Sequence, residues 1–138
     1  MAQKSNLILT ITLAAASAGS AWANNLPPIA ENPRIQHEFM AGAVGDQIRQ
    51  NCPTISARML RVVRQLKNLE KYALGLGYTK ADIDAMRKDP VAKADLRAKV
   101  ETYLAENGVV SGDADSYCRL GRTEIQKKTL TGWLLRAR

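Results

Sequence analysis

The chain has 138 residues, two cysteines, one histidine and a formal net charge of +7. This length suits a single domain with a modest apolar core. His37 is the only histidine, so no second histidine can bind a metal with it. The cysteines are too far apart for the Cys-x-x-Cys-His haem attachment motif. We therefore predict no catalytic, cofactor or metal site, and we expect the protein not to be an enzyme.

The N-terminal residues, 1–23, have the pattern of a cleavable signal peptide. Lys4 precedes an apolar run at 7–16, and Ala-Trp-Ala at 21–23 is the small-x-small pattern that signal peptidase cleaves. The run is shorter than the roughly 20 residues that span a bilayer. We predict a mature chain that begins at Asn24, has no transmembrane segment and carries +6, one less than +7 because Lys4 is lost. The predicted location is the periplasm, with a secreted form as the alternative, and we expect no nucleic-acid partner.

The two cysteines, Cys52 and Cys118, are predicted to form a disulfide, because an isolated pair usually bonds in an oxidising compartment. Closing a loop of this length would stabilise the fold by about 4 kcal/mol in the chain-entropy model. The alternatives are two free thiols or a two-cysteine metal site, for which further ligands are lacking.

Residues 24–33 contain three prolines and predict an extended, mobile leader, followed by one helical domain at 34–138. A first helix is predicted over 34–50. Its core face has helical spacing: Ile35, Phe39, Met40, Val44 and Ile48. Gly42 and Gly45, three apart, predict a close contact with another helix.

The second predicted helix, over 54–74, has the clearest amphipathic pattern. At about 100° per residue, its apolar residues occupy an arc of roughly 150°. They are Ile55, Met59, Val62, Val63, Leu66, Leu69, Ala73 and Leu74. Cations cover the other side: Arg58, Arg61, Arg64, Lys67 and Lys71. The pattern predicts a core helix with a basic outer surface.

Three capping signals follow. Thr79 with Asp82 predicts a capping box, Asp89 before a proline predicts the start of a fourth helix, and Asp113 predicts the start of a fifth. Residues 130–135 either extend the fifth helix or form a separate turn. The fourth helix has an apolar face made of Val91, Leu96, Val100, Tyr103 and Leu104. No stretch shows a convincing alternation of apolar and polar residues, which a strand would have. We therefore predict an all-α bundle of four to five helices stapled by one disulfide.

Several segments of the chain resemble one family. They lie at 51–52, 55–59, 76–79, 83–85, 103–104, 118–125 and 134–136, and the most specific is Cys-Arg-Leu-Gly-Arg-Thr-Glu-Ile at 118–125. The chain resembles a family of small exported alphaproteobacterial proteins known only as a domain of unknown function. The resemblance implies a single domain with paired cysteines, and it implies no activity, cofactor or partner.

Basic residues suggest where a partner would bind. A disulfide would place Cys118 beside the start of the second helix and bring two basic segments together. We predict an anion-binding patch formed by Arg58, Arg61, Arg64, Lys67, Arg119 and Arg122. The alternative is an ordinary solvated face whose charge keeps the protein soluble.

These observations favour an exported, non-enzymatic helical protein that binds or supports another macromolecule, an unidentified protein or component of the cell envelope. One alternative is a basic-patch protein that binds anionic lipid or an envelope polymer and contacts the membrane surface. Another is a small disulfide-bonded periplasmic stress chaperone.

Overall fold

A computed structural model describes residues 26–138, which are mainly helical. A 3₁₀ turn at Ile29–Glu31 precedes, in chain order, α1 (Pro33–Asn51), β1 (Ile55–Ala57), α2 (Met59–Gly75), α3 (Lys80–Lys88), α4 (Pro90–Glu106), α5 (Ala114–Lys127), α6 (Leu130–Leu134) and β2 (Leu135–Ala137). The predicted helical bundle is confirmed, with a small added sheet. In the part of the chain that the structure describes, no helix is long and apolar enough to cross a membrane. The predicted signal peptide lies outside the described residues.

Three helices begin at the predicted capping residues. Thr79 and Asp82 form a reciprocal capping box at the start of α3. The side chain of Asp89 accepts a hydrogen bond of 2.9 Å from the first turn of α4, and Asp113 accepts one of 3.1 Å from the first turn of α5. Val91, predicted to face the core at the start of α4, is 75% exposed, so that assignment is wrong.

The predicted start of the second helix, at residue 54, is wrong, because α2 begins at Met59. Residues Ile55–Ala57 form β1, which pairs in antiparallel fashion with β2 so that Ile55 lies opposite Ala137. Hydrogen bonds extend the pairing at both ends, from Arg138 N to Thr54 O (2.8 Å) and from Arg58 N to Leu134 O (2.7 Å). Because the partner strand lies at the other end of the described chain, local apolar spacing could not reveal the pairing.

Helix α1 joins two apolar cores. The main core surrounds its C-terminal half and consists of Val44, Ile48, Cys52, Ile55, Val100, Leu104, Tyr117, Cys118, Leu120 and Leu135. A smaller core surrounds its N-terminal half and consists of Ile29, Ile35, Leu69, Ala73 and Tyr78, with Phe39, Tyr72, Ile83 and Met86 partly buried against it. The main core is built from α4, α5 and the strands, and the smaller one from the 3₁₀ turn, α2 and α3.

The predicted disulfide is confirmed. Cys52 and Cys118 are bonded, with their Cα atoms 5.1 Å apart, and both are buried. The bond joins the end of α1 to α5 inside the main core. The bond therefore holds α1 and α5 together, and α2, α3 and α4 lie between them in the chain.

The predicted glycine contact is correct at one position only. A Cβ on Gly45 would lie 3.7 Å from Thr131 Cγ2, so α6 packs closely on α1 there. The Thr131 hydroxyl also donates to the carbonyl of Ala41 at 3.1 Å. A Cβ on Gly42 would have no atom within 4 Å, so the close contact predicted for Gly42 is wrong.

The leader also differs from its prediction. Ile29–Glu31 forms a 3₁₀ turn, and the Ile29 side chain is 8% exposed. The Tyr78 hydroxyl donates to the carbonyl of Pro27 at 2.8 Å. An extended, mobile leader is therefore wrong at these residues, because an isoleucine between the prolines reaches the smaller core.

Candidate functional site

Two arginines of the predicted anion-binding patch hold the C-terminal segment in place. Arg58 Nε donates to the carbonyl of Leu135 at 3.0 Å. Arg61 Nη1 donates to the carbonyl of Trp133 at 2.9 Å, and its guanidinium lies 4.9 Å from the centre of the Trp133 ring. These carbonyls lie where α6 passes into β2 and need partners there. Both side chains therefore stabilise the fold.

The other patch residues lie on two helices. Arg64 and Lys67 are exposed on α2, and Arg119 and Arg122 are exposed on α5. Arg119 Nη2 is 3.8 Å from a carboxylate oxygen of Asp113, the residue that caps the same helix. Within residues 26–138, no ion pair joins the two basic groups through a shared acidic residue. The anion-binding patch stays a prediction.

Helix α2 is rotated away from the orientation that its apolar arc predicts. Only Leu69 and Ala73 of that helix are buried. The remaining apolar side chains on one edge are largely exposed: Met59 60%, Leu60 84%, Val63 46%, Leu66 54% and Leu74 39%. The prediction that Met59, Val63, Leu66 and Leu74 face the core is therefore wrong.

Polar contacts on the opposite edge of α2 explain the rotation. Arg61 is bonded to the end of α6, and Gln65 Nε2 donates to Glu38 Oε2 at 2.5 Å. The guanidinium of Arg34 lies 4.2 Å from the centre of the Tyr72 ring. At about 100° per residue, positions 61, 65 and 72 share one edge of the helix. Glu38 is only 8% exposed, so its hydrogen bonds anchor α2 firmly on α1.

The exposed edge of α2 borders a groove of about 460 Å³ against α3, which we call the α2–α3 groove. Its apolar floor and walls are formed by Phe39, Val63, Leu66, Leu69, Ile83 and Met86. Charged residues also line it: Lys67, Glu70, Lys80, Asp84 and Arg87. Helix α3 has no fully buried side chain, so the groove stays open between two helices that touch through few residues.

Glu124 is a buried carboxylate that the sequence pattern did not single out. It is 4% exposed and accepts hydrogen bonds from the hydroxyls of Tyr103 and Thr129. Burial, together with the hydrogen bond to Glu124, raises the pKa of Tyr103 to about 12. Gly132 N donates to the Thr129 hydroxyl at 3.0 Å, which extends the network into α6. These hydrogen bonds link α4, α5 and α6, and Tyr103, Glu124 and Thr129 form them with one another.

The α2–α3 groove offers a ligand apolar contact and charged side chains. Its lining contains lysine, arginine and carboxylate side chains but no histidine, cysteine, serine or tyrosine. Across residues 26–138, no three His, Cys, Asp or Glu side chains lie together in a way that could hold a metal ion. The arrangement therefore suits the binding of an apolar surface with charged flanks.

Comparison with known proteins places the chain in a family. The model of a family described as "Family of unknown function (DUF5333)" matches residues 27–136. No curated protein and no solved structure matches the chain. The match covers most of the chain, including both cysteines, so the predicted membership of a family of unknown function is confirmed. The chain belongs to the family of unknown function DUF5333.

Proposed function

We propose that the protein is an exported, non-enzymatic binding protein of the cell envelope, and that its α2–α3 groove holds an apolar segment of another macromolecule. The exposed apolar edge of α2 carries this proposal. Val63 and Leu66 keep 46% and 54% of their surface exposed although they border a groove with an apolar floor. Monomeric proteins rarely leave a continuous apolar strip of this kind uncovered without a use for it.

The edge is large enough to support specific binding. Fully burying a leucine, valine or methionine side chain contributes about 1.5–3 kcal/mol. Val63 and Leu66, which line the groove, retain about half of their surface, and the neighbouring Met59 and Leu60, which do not line it, retain 60% and 84%. Covering Val63 and Leu66 would contribute about 1.5–3 kcal/mol, and a partner that also covers Met59 and Leu60 would gain about 4–6 kcal/mol, before the cost of association.

An amphipathic helix of a partner protein fits this groove best. Two helices flank the groove, and a third helix with apolar side chains every three or four residues can lie between them. Three cations line the groove, Lys67, Lys80 and Arg87, against two carboxylates, Glu70 and Asp84. The small positive excess favours a partner segment with acidic flanks.

Paired substitutions test the groove. Val63→Asp and Leu66→Asp change half-exposed side chains, so each should lower the free energy of unfolding by about 1 kcal/mol, with circular dichroism as the check on folding. A photoreactive amino acid at Glu70, which lines the groove, should give a discrete crosslinked product in the envelope, and both substitutions should remove it. The same reporter at Gln126, exposed on α5, is the control. Equal crosslinking in the substituted proteins would refute the proposal, and a broad smear of products would favour the chaperone alternative.

A second candidate function is binding to an anionic envelope surface. At about 100° per residue, Arg64, Lys67 and Lys71 form a strip that also contains Leu60, which is 84% exposed. Cations around an exposed leucine suit an anionic lipid interface. Replacing the three cations by glutamine, or adding high salt, should abolish binding to anionic vesicles. Salt-insensitive binding would exclude this candidate, whereas binding in the apolar groove should survive high salt.

Export is part of the proposal and has its own test. Sequencing the N-terminus of the protein recovered from the cell envelope should give a chain that begins at Asn24. Lengthening or charging the apolar run at 7–16 should prevent that cleavage or keep the protein in the cytoplasm. Recovery of a chain that still carries residues 1–23 from the cytoplasmic fraction would overturn this part.

A further inference from the structure

A second cavity lies on the other side of Phe39 and Met86 from the α2–α3 groove. It measures about 300 Å³, is partly open to solvent and is lined by the 3₁₀ turn, α1, α3 and α4; we call it the α3–α4 cavity. Its lining is largely apolar, with Ala30, Ile35, Phe39, Met40, Met86 and Leu96. This volume is at the lower end of the range of about 300–1,000 Å³ for small-molecule sites.

The charged residues around this cavity are mainly cations. Arg87, Lys93 and Lys99 line it, with Asp95 as the single carboxylate. Asp95 is already paired, since its Oδ2 lies 2.7 Å from Lys99 Nζ. Arg87 and Lys93 have no ion pair in the described part of the chain, and both are exposed. Two unneutralised cations therefore stand at the edge of an apolar cavity.

We propose that the α3–α4 cavity binds a single-chain anionic amphiphile, with its aliphatic chain in the cavity and its head group on Arg87 and Lys93. The shared chemistry is an alkyl chain that ends in a carboxylate or a phosphate. The cavity supplies apolar contact and the two cations supply the complementary charge. The cavity shares Phe39, Met86 and Arg87 with the α2–α3 groove. Ala92, Lys93 and Leu96 of α4 line only the cavity, so changes on α4 test this site separately from the groove.

The packing of α3 explains why such a ligand would be held. None of its side chains is fully buried, and Met86, which lines the cavity, is only partly buried against the smaller core. The atoms that line the cavity lack packing partners on one side, and an aliphatic chain would provide them. Each methylene placed there should raise the affinity about fourfold. Binding should also raise the melting temperature, because the ligand binds the folded state.

Calorimetric titration of the whole chain with decanoate, below its micellar concentration, tests the proposal. We expect saturable binding of one molecule per chain. Decyl phosphate should also bind, and the ratio of the two affinities distinguishes a fatty acid from a phosphorylated lipid as the source. Acetate should not bind, and decyltrimethylammonium should bind at least about tenfold more weakly because Arg87 and Lys93 repel it. Binding of several molecules per chain, no saturation, or equal affinity for the cationic analogue would overturn the proposal.

Matched variants locate the site. Arg87→Gln with Lys93→Gln should weaken decanoate binding about tenfold, since two exposed charge pairs are lost. Lys88→Gln changes a neighbouring exposed cation of α3 that does not line the cavity, and it should leave the affinity unchanged. Ala92→Phe should fill the cavity and reduce binding, with circular dichroism as the check on folding. Unchanged affinity in the Arg87/Lys93 double variant would refute the head-group assignment, even if Ala92→Phe failed to fold.

Discussion

Gly132 lies where α6 crosses the end of α5, and replacing it by alanine should destabilise the protein strongly. The new Cβ would overlap the carbonyl group of Glu124 and lie 2.6 Å from the backbone nitrogen of Ile125. These are backbone atoms of a helix, so no change of rotamer can move them away. Either α6 shifts or the last turn of α5 distorts, and both changes disturb the hydrogen bonds of Glu124.

The size of the effect follows from two opposing terms. Overpacking a tight site costs about 1–3 kcal/mol, and the backbone clash places Gly132→Ala at the upper end of that range or beyond it. The better helix propensity of alanine offsets about 1 kcal/mol at most. We expect a net loss of at least about 2 kcal/mol in the free energy of unfolding. At roughly 4 °C per kcal/mol for a chain of this size, the melting temperature should fall by at least about 8 °C.

The control is the same substitution at an open site. Gly42 is inside α1 and has nothing within 4 Å of an added Cβ, so Gly42→Ala should raise the free energy of unfolding by about 0.5–1 kcal/mol. Urea denaturation followed by circular dichroism measures both variants against the parent. A loss of less than about 0.5 kcal/mol for Gly132→Ala would refute the packing argument, as would a loss of equal size for both variants.

Three further predictions concern the covalent bond, the C-terminal contact and pH. Replacing Cys52 and Cys118 together by alanine should lower the free energy of unfolding by about 4 kcal/mol in urea; a change below about 1 kcal/mol would contradict the loop-closure argument. Arg61→Gln should lose about 1–2 kcal/mol and shift the fluorescence of Trp133, because a hydrogen bond and a cation–π contact disappear; an unchanged spectrum would count against that contact. The pKa of Tyr103 rises from 10.0 to about 12 on folding, so the unfolded state loses its proton first, and stability should hold below pH 10 and fall between pH 10 and 12. Tyr103→Phe should flatten that alkaline slope, and an identical slope would disprove the assignment.

Local signals in the sequence predicted the helices well. The caps at Thr79, Asp89 and Asp113 act within one turn of the residues that they bond, so their effect can be recognised from a few neighbouring residues. The disulfide was predictable for a different reason, because two cysteines allow only one pairing. Contacts between distant segments were not predictable in this way. Ile55–Ala57 has helical apolar spacing, and only the strand at Leu135–Ala137 makes it extended.

The candidate site was missed because the orientation of α2 depends on contacts outside that helix. Its apolar arc includes Leu69 and Ala73, which are buried, but the arc alone could not show which of its residues face the core. That choice is made by Glu38 and Trp133, which bind Gln65 and Arg61. The basic pattern was also ambiguous, since arginines that bond backbone carbonyls and arginines that face solvent have the same sequence signature.

The connection between the two ends of the described chain has a consequence for the order of folding. Thr131 bonds Ala41, Cys118 bonds Cys52, and β2 pairs with β1, so the main core joins segments that are distant in sequence. A chain that emerges N-terminus first can form α1 to α4 as separate helices, but it cannot close this core until the residues after 118 are present. Folding should therefore be slower than in a helical bundle of sequential hairpins, in the range of milliseconds to seconds. During that interval the N-terminal half of α1 can already pack on the smaller core, whereas its C-terminal half lacks the residues of α5 and β2 that cover it in the folded protein.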